Sequence, residues 1–230
     1  NVNPELFANM FSFEPKKHIE AIRTLKRALA MEFQGTIDIL DLIIKWFFVR
    51  LWYNANEALL KESLDYMYAL FNNLEAAKYY MIDFEAEILA PCLVEKLWTD
   101  NVQLKILLHK IFCKFGNVYP SQKVAHHLLL GMNSTNQRTR IGSIEVLVDL
   151  VRAFGPDIIS QKDIKLFAKL LNYHDKDVRE SSSNLLCAVG QYKGEELFAI
   201  ISSDASPQDL EALHNKIKNF NIQYQKMWEN

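Results

Sequence analysis

Apolar residues recur at intervals of three and four along nearly the whole chain, the spacing that lines them up on one face of an α-helix. Asn3-Pro4 opens a short helix, with Asn3 as cap and Pro4 in the first turn; Leu6, Phe7 and Met10 give it an apolar face, and Phe11 continues that face into the core. After the break at Ser12-Phe13-Glu14-Pro15, a second helix is expected from about Lys16 to Met31, striped by Ile19, Ile22, Leu25 and Leu29. The same sequence of helix, polar turn and helix then repeats. Helices are expected over 35–51 and 56–72, with Trp52-Tyr53-Asn54-Ala55 between them; over 84–98 and 104–115, with a turn at 99–102; and over 120–132 and 138–154, around Asn133-Ser134-Thr135-Asn136. Two more pairs follow, 161–171 with 177–191 and 194–202 with 207–220. Gly116 reads as the residue just past a helix end, where positive φ costs no Cβ clash, and Gly155-Pro156 closes the fourth pair. Ser206-Pro207-x-Asp209 repeats the cap-then-proline signal of the N-terminus. The segment 221–230 either extends the last helix, docks on it or hangs free.

The most apolar window, 37–53, carries Asp38, Asp41, Lys45 and Arg50, charges too costly for hydrocarbon, so it reads as a central helix touched on two sides. Its stripe is Ile37, Leu40, Ile44, Phe47 and Leu51, facing Leu60, Leu64, Met67, Leu70 and Phe71. Half of the 230 residues are apolar, enough to bury a full core, while seven Gly and six Pro are few for a sheet-rich chain. The expectation is an all-α chain with short connections. A net charge of −2 exerts no global pull on nucleic acid or membrane, so any basic surface is local. Cys92, Cys113 and Cys187 are far apart in apolar helical contexts and read as buried thiols in a reducing compartment. The chain lacks an initial Met and a charged leader, which reads as an excised domain without its own targeting signal.

Six helix pairs at a spacing of about 40 residues have the period of HEAT-type repeats, each pair exposing an apolar face until the next one stacks on it. The fifth turn, Asp175-Lys176-Asp177-Val178-Arg179, has the form of a HEAT turn: Val178 packs inward, Asp175 and Asp177 serve the amides of the new helix, and Arg179 points along the turn near solvent. In such a stack the turns within pairs emerge on one edge.

A six-repeat HEAT α-solenoid paddle with turns opening at Ser12, Trp52, Thr99, Asn133, Asn172 and Ser202 resembles a TOG domain of the microtubule polymerase family that includes ch-TOG and Mini spindles. The resemblance covers residues 1–220 as one array, with pairs at about 4–31, 35–72, 84–115, 120–154, 161–191 and 194–220. It rests on NPELFANMFSF, DLIIKWF, QRTR at the fourth turn and DKDVR at the fifth, taken in order. The first two pieces are most similar to the fourth TOG domain of the array. The resemblance implies binding of the αβ-tubulin heterodimer along the turn edge, promotion of microtubule plus-end growth, and a place in the cytoplasm at microtubule ends, spindle and centrosome. In other TOG domains the first turn presents a Trp to β-tubulin; here that stretch offers Phe11 and Phe13. Basic residues of later turns face α-tubulin in the family, and Arg140 and Arg179 match such positions best, with Arg138 and Lys176 beside them.

Lys16, Lys17, Arg50, Lys105, Arg138, Arg140, Lys176 and Arg179 would form a local basic strip suited to an acidic partner surface. Phe13, Trp52 and Tyr53 supply aromatic anchors, and Asn54 and Asn101 lie in the second and third turns of the same edge. Against this stands the plainer reading that an edge Arg is a solvated helix-start residue and that Trp52 caps its own helix pair. No phosphate-cradling glycine loop, paired-carboxylate motif or metal-ligand spacing stands out, so neither an enzyme nor a cofactor is expected. His126-His127 are adjacent on a helix and point about 100° apart, which suits one exposed and one half-buried ring. His174 lies on an exposed turn without a nucleophile pattern, and Ser181-Ser182-Ser183 permits close helix packing. A HEAT scaffold for a different protein and, less favoured by the charge balance, a nucleic-acid-binding array are the competing readings; the domain is expected to be monomeric and apart from membranes.

Overall fold

The computed structural model describes the backbone of residues 3–51 and 56–228, and side chains over 3–50 and 56–220. Among these residues there is no strand. The helices are α1 (Pro4–Met10), α2 (Pro15–Met31), α3 (Phe33–Asp38), α4 (Leu40–Trp46), α5 (Glu57–Ala76), α6 (Asp83–Glu95) and α7 (Val102–Val118), then α8 (Ser121–Gly131), α9 (Gln137–Phe154), α10 (Gln161–Leu170), α11 (Lys176–Lys193), α12 (Glu195–Ile201) and α13 (Pro207–Trp228). They fall into two compact units, one of residues 1–93 and 101–119, the other of 94–100 and 120–230.

In the first unit the second helices of successive pairs stack, α2 on α5 and α5 on α7, with α1 against α2. Their shared core is aromatic. Phe47 stacks on Tyr66 at 5.3 Å between ring centroids and Phe71 on Phe115 at 5.2 Å, all four buried. The second unit repeats the arrangement with α9 on α11 and α11 on α13, flanked by α8 and by α10 and α12. Its core is mainly aliphatic, with Ile144, Leu147, Leu185, Leu186 and Val189 buried, and Phe167 buried as well. Two glycines permit close approach: a Cβ on Gly131 would lie 2.5 Å from Ser143 Oγ and Val94 Cγ1, and one on Gly142 would lie 2.8 Å from the Leu97 carbonyl oxygen. Ser181 and Ser182 are buried in α11. Cys92 and Cys187 are buried and Cys113 is half-buried, all three as free thiols; burial pushes the Cys187 thiol up to about 12, so it stays protonated near neutrality.

Three sequence expectations need correction. The helix expected over 35–51 is not continuous: Ile39 leaves helical geometry at φ −123°, ψ 19°, and Phe47–Leu51 form a π-helical turn. Ile43 and Trp46, outside the expected stripe, are buried together with Leu40, Ile44 and Phe47. Gly116 does not end its helix, because α7 runs to Val118 and buries both Val118 and Tyr119. The Val118 carbonyl accepts from Met81 N–H at 2.8 Å and the Tyr119 hydroxyl donates to Asp83 at 2.8 Å, which holds the extra turn in place. The third correction is that Phe7 and Phe11 are not core residues; they are 56% and 47% exposed and meet each other at 4.7 Å. Two local signals match the structure: Gly155 takes φ +86° directly after α9, and Ser206 caps α13 with Pro207 in its first turn. The backbone of α13 continues through 221–228.

Candidate functional site

The first turn is bound to its own unit by groups the alternation of apolar residues does not reveal. Trp46 Nε1 donates to the Met10 carbonyl at 2.9 Å, buried His18 donates from Nε2 to the Ser12 carbonyl at 2.8 Å, and the two rings meet edge to face. Phe13, carried at the apex, is 94% exposed. Beside it Arg50 lies over the Phe11 ring at 5.4 Å, a cation–π contact. Lys16 is exposed at the start of α2. Lys17 donates to Glu20 at 3.0 Å, and the hydrogen bond to that carboxylate raises the Lys17 pKa. Trp52, Tyr53 and Asn54 lie outside the described residues.

Asn101 caps α7, accepting from the amides of Gln103 and Leu104, and its side-chain amide donates to Glu57 in the first turn of α5. The starts of α5 and α7 are thereby neighbours on one edge of the first unit. Lys105 is half-buried one turn into α7.

In the second unit two turns have the same construction. At the fourth, Asn136 caps α9 by accepting from Arg138 and Thr139, and Arg140 Nη1 folds back to donate to the carbonyls of Ser134 at 2.7 Å and Thr135 at 3.4 Å. At the fifth, Asp175 caps α11 by accepting from Val178 at 3.0 Å, and Arg179 Nη1 donates to the carbonyls of Tyr173 at 2.7 Å and His174 at 2.9 Å. The hydrogen bond from the Val178 amide, ahead of smaller effects, holds the Asp175 carboxyl below its ordinary value. Both arginines are half-buried and neither has a carboxylate partner among the described residues. Arg179 is thus braced against its own turn instead of pointing freely along it. Each guanidinium spends one nitrogen on neutral carbonyls and keeps its full charge in a fixed place.

The other two members of the expected basic strip in this unit differ. Arg138 pairs with Asp100, whereas Lys176 is exposed. Side-chain bridges join consecutive turns of this unit: Gln137 to Asp175 at 2.5 Å and Asn172 to Asp209 at 3.1 Å. These bridges, together with Asp100 to Arg138, put the fourth, fifth and sixth turns and the end of the third along one edge. No local periodicity exposes such partners, because the residues lie more than thirty positions apart. A signal did exist in the spacing shared by Asn136 with Arg140 and Asp175 with Arg179, a cap followed at one helical turn by arginine.

His126 is exposed and His127 half-buried, with rings 6.3 Å apart, while His174 lies against Tyr173 at 4.1 Å. No group of three or more His, Cys, Asp or Glu able to hold a metal ion occurs among the described residues, and no helix there is long and apolar enough to cross a membrane.

The family model for the XMAP215/Dis1/CLASP TOG domain matches residues 43–217. The chain belongs to this TOG domain family. Among relatives, it is 28% identical over 218 residues to Protein mini spindles of Drosophila melanogaster, a match covering 95% of this chain and 11% of that protein. Protein MOR1 of Oryza sativa subsp. japonica is 27% identical over 193 residues, 83% of this chain and 10% of its own. The TOG domain therefore spans about a tenth of the length of these relatives. One solved structure, from work on how TOG-tubulin binding specificity promotes microtubule dynamics and mitotic spindle formation, superposes with a TM-score of 0.85 at 28% identity, covering 95% of this chain and 82% of that one. The TOG domain of C. elegans Zyg9 has the same fold, with a TM-score of 0.82 at 20% identity over 95% of this chain and 82% of its own. The all-α HEAT-type fold expected from the repeat period is the fold of this family.

Proposed function

We propose that this chain is a non-enzymatic αβ-tubulin-binding module of a longer microtubule polymerase, acting at microtubule ends, spindle and centrosome. Support comes from family membership and from the similarity to proteins and structures named for the spindle and for TOG-tubulin binding. Residues 1–220 would serve as one such module, in the position of the fourth TOG domain of its array. The observation that carries the reading is the matched pair Arg140 and Arg179, each braced by its own turn and free of a carboxylate. A fixed, uncompensated guanidinium loses little freedom on meeting an acidic surface, so more of its attraction remains as affinity. Linking several such modules would raise the local concentration of tubulin at a growing end, where delivery requires positioning and no covalent chemistry.

The test is co-migration of the purified chain with αβ-tubulin in gel filtration and sedimentation. Reversing both charges, Arg140→Glu with Arg179→Glu, should weaken the complex by about a hundredfold or more, as expected when two close charge pairs become repulsive. Unchanged binding by the double variant, with the fold intact by circular dichroism, would overturn the reading.

A further inference from the structure

Between α11 and α13 lies an open groove of about 290 Å³ that begins at the fifth turn. Its floor includes buried Leu213. Its walls carry three cations, Lys176, Arg179 and Lys216, and two acids, Glu180 and Asp209. The two acids offset the three cations only in part. Asp209 is occupied at the start of α13, where it accepts from the hydroxyl and amide of Ser206 and from the Asn172 side chain. Lys216 crosses the groove from α13 to donate to Ser183 on α11 at 3.1 Å, and Arg179 donates to the carbonyls of its turn. None of the three cations has an ion-pair partner among the described residues, and Glu180 faces them as the one acid of the groove without a bond of its own.

We propose that this groove receives an extended acidic segment of the protein bound along the neighbouring turns, its carboxylates meeting Lys176, Arg179 and Lys216 over the apolar floor. The inference rests on the edge being the partner-binding surface, and it adds Lys216, which lies away from the turns, to the site. Arg179 belongs to both surfaces, so an acidic segment entering the groove continues the contact made at the fifth turn. The Lys216 ammonium, already held by a neutral hydroxyl, exchanges that weak partner for a carboxylate without giving up an existing ion pair. Glu180, the acid not engaged at a helix start, supplies a sign test, because neutralising it must help an acidic ligand and hinder a basic one.

A fluorescein-labelled hexaglutamate peptide, titrated against the intact chain by fluorescence anisotropy at low salt, reads the groove directly. Lys176→Gln with Lys216→Gln should weaken its binding by about tenfold, and Glu180→Gln should tighten it by about threefold, in keeping with charge pairs at a partly exposed site. Hexaglutamine should not bind. The inference is overturned if hexaglutamate binds the double glutamine variant as well as the parent, if Glu180→Gln weakens binding, or if the parent shows no binding at millimolar protein. The same variants assayed with αβ-tubulin keep the two readings apart. Tubulin bound without hexaglutamate would sink the groove alone, whereas hexaglutamate bound without tubulin would sink the tubulin reading and leave the groove.

Discussion

The edges of the two units differ in what they offer to solvent. In the first unit the turn is pinned from within, by Trp46 on Met10 and His18 on Ser12, and what projects is the apolar ring of Phe13. A nearby charge there, Lys17, already has its carboxylate. In the second unit the turns are pinned by arginines, and the groups that pin them are the ones that carry uncompensated charge. A tryptophan or histidine used as a brace disappears into the core and leaves recognition to another residue. An arginine used as a brace serves both purposes, since Nη1 can satisfy backbone carbonyls while the rest of the guanidinium keeps its donors.

Removing an arginine brace should therefore have the largest effect among single substitutions. Arg179→Gln removes a fixed cation and leaves the carbonyls of Tyr173 and His174 without their donor. The expected loss in tubulin affinity is about 2 kcal/mol, roughly thirtyfold, measured by gel-filtration or sedimentation titration. Asn136→Ala attacks the fourth turn one step earlier, by deleting the acceptor for the Arg138 and Thr139 amides. It should cost about 1 kcal/mol of stability in chemical denaturation. Affinity should fall as well, because Arg140 is braced on the turn that this cap shapes. If Arg179→Gln and Asn136→Ala leave binding untouched, the second edge is only a structural turn.

At the first edge the expected effect is smaller. Phe13→Ala should weaken tubulin binding by about 1 kcal/mol, roughly fivefold, since an exposed ring contributes area without a pocket of its own on this chain. Stability should not change, because Phe13 is 94% exposed. A loss larger than that of Arg179→Gln would reverse the ranking of the two edges.

The helices that pair in the first, fourth and fifth repeats, the caps at Asn3 and Ser206, the break at Gly155 and the arginines of the fourth and fifth turns were legible, because each depends on residues within one or two helical turns. What escaped had two causes. Around 37–51 apolar residues occupy so many positions that the stripe of Ile37, Leu40, Ile44, Phe47 and Leu51 leaves out Ile43 and Trp46, which are also buried, and no local signal marks the break at Ile39 or the π turn after it. The remainder is long-range. Arg138 reads as a free edge cation until Asp100 is placed beside it, and Lys216, which no sequence signal singles out, gains its place only when α13 is laid against Ser183. Phe7 and Phe11 continue an apolar stripe in the sequence, yet α1 buries Asn9 instead and turns both rings outward.

Asp175 lets the second edge be tested through pH. Its carboxyl is held below the ordinary value, chiefly by the Val178 amide, so the ionised form stabilises the folded turn. That contribution is complete above the unfolded carboxylate value of about 3.9 and is lost as pH falls through the lower folded value. Thermal unfolding of the parent chain and of Asp175→Asn should therefore differ near pH 6, and the difference should shrink as pH falls below the ordinary carboxylate value. A difference that grows toward acid would mean the cap is not acting through its charge.

The smallest effect is expected where the sequence alone made a candidate look as good as its neighbours. Arg138 lies two residues before Arg140, is more exposed, and differs in having Asp100 as a partner on the same edge. To reach an acidic surface it must first leave that carboxylate, so the gain on binding is the difference between two similar ion pairs in water. Arg138→Gln should change tubulin affinity by less than about twofold. Asp100→Asn, which frees the arginine, should strengthen binding by a similar factor, read in the same titration. A tenfold loss on Arg138→Gln would show that a carboxylate partner does not silence an edge cation, and the distinction between braced and neutralised arginines would fall with it.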